Sequence, residues 1–256
     1  MLVDTHCHIY KEYYDDIDNI LFKMKQNGVD KIINNGCDFN TSLEVLELSK
    51  NCDNMFCAIG IHPDEIGDSF DNFVILFLSN LENKKLVAIG EIGLDYYWNK
   101  ENKRNQKSAF IKQIEIANEL DLPIVIHTRE AIADTIDILK NQITVVNKGV
   151  FHCCPLNLDL IREGLKLGFY ISFAGPITFK NSKNATEAIS LVPLDRILVE
   201  TDSPYLAPEP KRGTRNDSSN LIYTLQKIAD VKQMSMEEVA KITYENTKNI
   251  LKINTN

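Results

Sequence analysis

Residues 2–9 read LVDTHCHI, and the fold of the chain turns on how that octapeptide is understood. It opens apolar and closes with His6 and His8 at i, i+2, a spacing that puts both rings on the same side of a β-strand. The same design recurs along the chain. MFCAIGIHP (55–63) runs into His62, PIVIHTR (123–129) into His127 and GVFHCC (149–154) into His152, so all five histidines stand at or just past a short apolar run. Two acids hold equivalent places, Glu91 in LVAIGEIGLD (86–95) and Asp202 in ILVETDSP (197–204). Seven metal-capable groups gathered at strand ends describe one site, built where parallel strands deliver their C-terminal residues.

Working outward, strands are expected over 2–9, 31–37, 54–62, 86–92, 123–128, 149–153, 168–174 and 196–202. Helical periodicity fills the intervals at 12–27, 41–50, 70–82, 103–120, 130–140, 157–167, 182–191 and 217–230, with two further segments at 235–242 and 244–252. In FIKQIEIANELDLP, Phe110, Ile114, Ala117 and Leu120 form one apolar stripe opposite charges, and Pro123 opens the next strand where a missing N–H costs least. Eight strand–helix units predict an α/β fold, a single (β/α)8 TIM barrel in one domain, for which 256 residues is the usual size. A doubly wound open sheet fits less well, because its site would draw on few strand ends, and no GxGxxG or Walker-type loop is present.

Composition is ordinary, at 44% hydrophobic and 25% charged residues, which excludes disordered and fibrous classes. No apolar run is long enough to span a membrane, and MLVDTH enters the first strand without a leader, so a cytoplasmic protein without an obligate protein partner is expected. The six cysteines include no CxxC, and Cys153 and Cys154 are adjacent; they read as reduced, small apolar residues, with Cys7 pointing away from its histidine neighbours. A net charge of -8 argues against a broad electrostatic footprint on nucleic acid, but not against a local one.

His6 and His8 can grip one ion from one strand face, with Asp4 as a candidate to orient an imidazole. Glu91 has two oxygens and suits a bridge between two ions. His127 and His152, on neighbouring strands, can hold the second ion, and Asp202 ends the strand beside the first, with Glu200 one step deeper. Nitrogen and oxygen donors of this kind accept Mg, Mn or Zn, and spacing does not choose among them.

The blocks DTHCHI, GIHP, EIGLDYYW, PIVIHTREA, FHC, SFAGPITFK, ETDSPYLAP and RGTRN, in this order, resemble the TatD-type metal-dependent deoxyribonucleases of the amidohydrolase superfamily, over nearly the whole chain. The resemblance implies a (β/α)8 barrel with two divalent ions, one held by His6, His8, Glu91 and Asp202, the other by Glu91, His127 and His152. The chain departs from the family pattern after His152, where Cys-Cys-Pro-Leu-Asn stands, and after RGTRN, where Asp-Ser-Ser follows. Both departures fall in loops expected to face substrate.

Hydrolysis of DNA phosphodiesters is the expected activity, with trimming of 3′ ends of single strands as its form. Asp202 is expected to take a proton from water, with Glu91 as the second catalytic carboxylate. His62, Arg129, Arg212 and Arg215 are expected to contact DNA, since guanidinium pairs bidentately with phosphate. Tyr96, Tyr97 and Trp98 are candidates for stacking on a base. Hydrolysis of another bond, an amide or an aminoacyl-tRNA ester, keeps the same barrel; superfamily amidohydrolases often bridge their metals with a carboxylated lysine, and here that place holds Glu91. A barrel with purely structural metals is disfavoured, because six ligands for two ions leave coordination open to water and substrate.

Overall fold

The computed structural model of the protein describes residues 1–67, 76, 79–80, 82–98 and 100–253. The strands are β1 (Leu2–Cys7), β2 (Val29–Asn35), β3 (Met55–Ile59), β4 (Leu86–Asp95), β5 (Ile124–Arg129), β6 (Gly149–Phe151), β7 (Tyr170–Phe173) and β8 (Ile197–Val199). They form one parallel sheet in chain order, β1 to β8. The expected (β/α)8 barrel is thus observed. The seam between β8 and β1 has no regular ladder. It closes through a single bridge, Cys7 to Ser203, flanked by Asp202 N–H donating to the His6 carbonyl at 2.9 Å and His8 N–H to the Ser203 carbonyl at 2.7 Å.

Described helices are α1 (Ile17–Gln26), α2 (Phe39–Asn51), α3 (Lys103–Glu119), α4 (Ile132–Asp137), α5 (Leu158–Lys166), α6 (Ala185–Leu191), α7 (Leu221–Lys232) and α8 (Met236–Leu251). The helix expected over 70–82 lies largely outside the described residues. Local chemistry explains the starts. Asp38 and Thr41 form a reciprocal capping box on α2, Ser235 and Glu238 another on α8, and Asp16 accepts from Asn19 N–H on α1. On α3 the stripe Phe110, Ile114 and Ala117 is fully buried against the sheet, each large apolar side chain contributing about 1.5–3 kcal/mol. No helix among the described residues is long and apolar enough to cross a membrane.

Several boundaries differ from those read in the sequence. The segments 235–242 and 244–252 are one continuous helix. Thr243 lies inside it, its hydroxyl donating back to the Val239 carbonyl at 3.0 Å. The stretch 130–140 changes from α to π geometry at Ile138–Gln142. β4 runs on to Asp95, so Glu91 sits inside a strand, whereas His62 and Asp202 lie three residues beyond β3 and β8.

Val3, Phe56, Val87, Val125, Val150 and Leu198, near the strand starts, cluster with Tyr244, Ile250 and Leu251 of α8. This helix therefore covers the N-terminal mouth, and Asn246 secures it by donating to the Leu194 and Ile197 carbonyls. The opposite mouth is left open, and there lies a cleft of about 820 Å³.

Candidate metal centre

Glu91 stands at the floor of this cleft, and its two carboxylate oxygens face different partners. Oε2 is 3.3 Å from His6 Nε2 and 3.5 Å from His8 Nε2. Oε1 is 2.8 Å from His127 Nδ1 and 2.7 Å from His152 Nε2. Asp202 Oδ1 joins the first group, 3.4 Å from His8 Nε2 and 3.7 Å from His6 Nε2. All six residues expected to bind metal therefore converge. The backbone of Gly93 makes part of this possible: with φ at +148°, a Cβ there would stand 1.9 Å from the His127 carbonyl oxygen.

The backs of the rings explain what the fronts offer. His8 Nδ1 faces the Asn35 carbonyl at 3.0 Å, His127 Nε2 faces Asp95 Oδ2 at 2.9 Å, and His152 Nδ1 faces Glu200 Oε1 at 3.3 Å. Each of these acceptors keeps a proton on the rear nitrogen, which leaves a lone pair on the nitrogen that enters the cluster. The result is buried acceptors turned on one another, His127 Nδ1 3.2 Å from His152 Nε2, while His6 Nε2 lies 3.0 Å from His8 Nε2 with its own Nδ1 buried and without a hydrogen-bond partner. A proton between two such nitrogens serves only that pair, whereas a cation serves every lone pair at once. The donor set fits divalent metal for this reason.

Charge follows the same logic. Burial alone would raise the Glu91 carboxyl, but when the rings carry front-facing protons the charge on His152 and His6 and hydrogen bonds from His127 and His152 hold it well below its usual range; a cation would take the place of those protons. Burial is likewise outweighed at Asp202, by a hydrogen bond from His8 and by the rings of His152 and His6, so it too stays a carboxylate. Burial opposes charge on the His127 ring, yet Asp95 and Glu91 hold its proton more tightly than normal.

Asp95 and Cys37 were not singled out from the sequence. Asp95 is four residues beyond Glu91 on β4, hence on the same strand face, which is the signal that marks it. Its other oxygen accepts from Tyr97 N–H at 2.8 Å and Trp98 N–H at 3.2 Å, so it fixes both the ring and the turn that follows. Cys37 lies past β2 with Sγ 3.6 Å from His8 Nδ1 and 3.9 Å from Glu91 Oε2. It lines the cleft with Cys153, while Cys7 and Cys57 are the buried apolar residues expected, and no cysteine is in a disulfide.

The role expected for Asp4 is corrected. Its carboxylate does not reach an imidazole. Oδ1 accepts from Thr201 N–H at 2.9 Å and from His6 N–H at 3.4 Å, and Oδ2 from Thr201 Oγ1 at 2.5 Å. β8 stops at Val199, so this buried acid stitches the residues leading to Asp202 onto β1.

Among the residues expected to meet substrate, His62 and Arg129 line the cleft and Arg212 and Arg215 do not. His62 Nδ1 accepts from Asp64 N–H at 3.2 Å and Nε2 lies 3.7 Å from Glu91 Oε1. Burial, with the neighbouring His127, pushes the His62 ring down to about 3, so it is neutral. Arg129 lies 3.8 Å from the Tyr97 ring centre and 5.5 Å from that of Trp98. Arg215 donates to the Tyr13 carbonyl instead, and Arg212 to Asn181 Oδ1 at 3.3 Å while covering Phe179. Tyr96, by contrast, is buried and donates to Asp134 at 2.7 Å, so of the three aromatics only Tyr97 and Trp98 are exposed.

Known proteins place the chain among metal-dependent hydrolases. A family described as TatD related DNase matches residues 3–252. YabD of Bacillus subtilis, named an uncharacterized metal-dependent hydrolase, is 41% identical over 99% of this chain and 100% of its own. YcfH of Escherichia coli K12, similarly named, is 38% identical over 96% of this chain and 93% of its own. The crystal structure of YjjV, a TatD homologue from Escherichia coli K12, superposes with a TM-score of 0.91 at 26% identity, covering 99% and 98% of the two chains. On its matched length and these relatives, the chain belongs to the TatD-related DNase family.

Proposed function

We propose that the protein is a hydrolase of DNA phosphodiester bonds that uses two divalent cations, held by His6, His8, Glu91 and Asp202 and by Glu91, His127 and His152. The observation that carries this reading is Glu91, whose two oxygens turn to two separate groups of lone pairs. Divalent cations there supply an acidified water and relieve the charge that builds on phosphate.

The chain's own groups take the remaining parts. Asp202 is an ionised carboxylate at the cleft wall, suited to accept a proton from water. His62 is neutral with Nδ1 engaged by the Asp64 N–H, so Nε2 carries a hydrogen that can be donated to a phosphate or leaving-group oxygen. Arg129, 3.8 Å from the Tyr97 ring centre, offers a guanidinium to phosphate at the rim. The cleft volume of about 820 Å³ suits one small ligand, and so a strand end rather than a paired duplex. This favours removal of terminal nucleotides from single strands, at the 3′ end in our reading. Exposed Trp98 and Tyr205 at its edge provide faces on which bases stack, at about 1–3 kcal/mol each.

Metal-loaded protein, tested side by side on a nitrophenyl phosphodiester, end-labelled single-stranded DNA, an amide panel and aminoacyl-tRNA, should cleave the first two. Turnover of only the amides or the aminoacyl ester would refute the proposal.

A further inference from the structure

Two groups of loops on the C-terminal face of the barrel differ in charge, and they meet where Arg215 donates to the Tyr13 carbonyl and the Tyr13 and Tyr205 hydroxyls lie 2.8 Å apart. Loops after β1, β2 and β3 carry Glu12, Asp15, Asp16, Asp38, Asp64 and Glu65 against a single cation, Lys11. The loops after β7 and β8, residues 174–184 and 203–217, carry Lys180, Lys183, Lys211, Arg212 and Arg215 against Glu209 and Asp217. All five of these cations are exposed, and Lys180, Lys183 and Lys211 have no carboxylate partner among the described residues.

The two basic loops form one surface. Glu209 N–H donates to Thr178 Oγ1 at 2.9 Å, Arg212 bonds Asn181 and covers the Phe179 ring, and Gly175 packs so closely that a Cβ would meet the Leu206 carbonyl oxygen at 2.0 Å. The surface is continuous with the cleft, because Tyr205 and Leu206, which line it, belong to the same loop as Lys211 and Arg212.

We infer that a single-stranded nucleic acid whose end occupies the cleft leaves it across the β7 and β8 loops, stacking on Tyr205 and laying its phosphates on Lys180, Lys183 and Lys211. A strand leaving over the β1–β3 loops would meet six carboxylates. The net charge of -8 does not oppose the basic route, since charges farther than about 10 Å are screened at 0.1 M salt. Loops after strands seven and eight are also the common phosphate-binding place of this barrel type. The inference rests on the nucleic-acid substrate proposed above and adds the path and the residues that line it.

The test is binding of a labelled phosphorothioate 20-mer to metal-loaded protein across a salt series, beside turnover of a nitrophenyl phosphodiester, which has no strand to leave the cleft. Lys180→Ala/Lys183→Ala/Lys211→Ala should weaken 20-mer binding at least tenfold. It should lower the log–log salt slope by about 2, at about 0.7 for each lost phosphate contact, with nitrophenyl turnover unchanged. The corresponding triple Arg variant should bind as the parent does. Unchanged affinity and slope would overturn the inference. So would an equal loss on removing Lys23, Lys25 and Lys241, which lie on α1 and α8 away from these loops, or failure of the Arg variant to retain binding. A parent protein that binds the strand but hydrolyses no phosphodiester would refute the proposed function while leaving the path intact.

Discussion

Asp95→Asn is the sharpest perturbation of the candidate metal centre, because it keeps the side chain's shape and replaces none of the six residues assigned to the cations. Asp95 is 1% exposed and accepts from three groups: His127 Nε2–H at 2.9 Å through one oxygen, and the Tyr97 and Trp98 N–H groups at 2.8 and 3.2 Å through the other. A carboxylate accepts on both sides; an amide accepts on one and donates on the other. If the Asn oxygen faces His127, its NH2 confronts two backbone N–H groups. If it faces the turn, the NH2 confronts the His127 N–H. Neither rotamer is satisfied, so the ring loses its anchor or flips its proton onto Nδ1, the atom that should hold the cation. Loss of such an orienting partner typically weakens metal affinity by about 10–100-fold, or about 1.4–2.7 kcal/mol. The fold should also lose about 1.5–3 kcal/mol, the usual size of a hydrogen bond to a charged group. Metal affinity is read by titration against a chelator of known strength, and stability by urea denaturation of the metal-free protein. An Asp95→Asn protein with parental metal affinity would refute the argument that Asp95 presents the His127 lone pair.

Glu91→Ala should lose bound metal and activity together, since one carboxylate serves both groups of rings; two ions per chain by elemental analysis would exclude the bridging role. Asp202→Asn should cut turnover by about 10²–10⁴-fold with DNA affinity little changed, provided metal content is equal in the same sample. Parental turnover with full metal would leave Asp202 a ligand only, and His62 the next group to test. Adding cation at about 100 times its dissociation constant should stabilise the fold by about 2.7 kcal/mol, so chelator should lower the melting temperature. A melting temperature indifferent to chelator would mean that the lone pairs are satisfied without metal. Asp4→Ala should destabilise the fold by about 2–4 kcal/mol in urea denaturation, because Thr201 N–H and Oγ1–H lose a buried acceptor at the seam.

The barrel and the convergence of six metal-capable residues were legible in the sequence because both are recorded locally. Apolar runs of strand length alternate with helical stripes, consecutive parallel strands cross over with one hand, and a residue at a strand end must face the same mouth as its counterparts. His6, His8, Glu91, His127, His152 and Asp202 needed no more than this. Strand lengths were less legible: Glu91 proved to lie within β4, because Gly93 permits the strand to continue to Asp95. What remained was decided by tertiary structure. Which oxygen of Glu91 meets which ring, Glu200 behind His152 at a separation of 48 residues, and Asp4 on Thr201 at 197, all depend on how the strands are staggered around the barrel. The arginines show the same limit. Arg212 and Arg215 carry the residue type that phosphate favours, yet Phe179, Asn181 and the Tyr13 carbonyl hold them outside the cleft. A long side chain takes its direction from whichever partners the fold places within reach, and no local pattern encodes those.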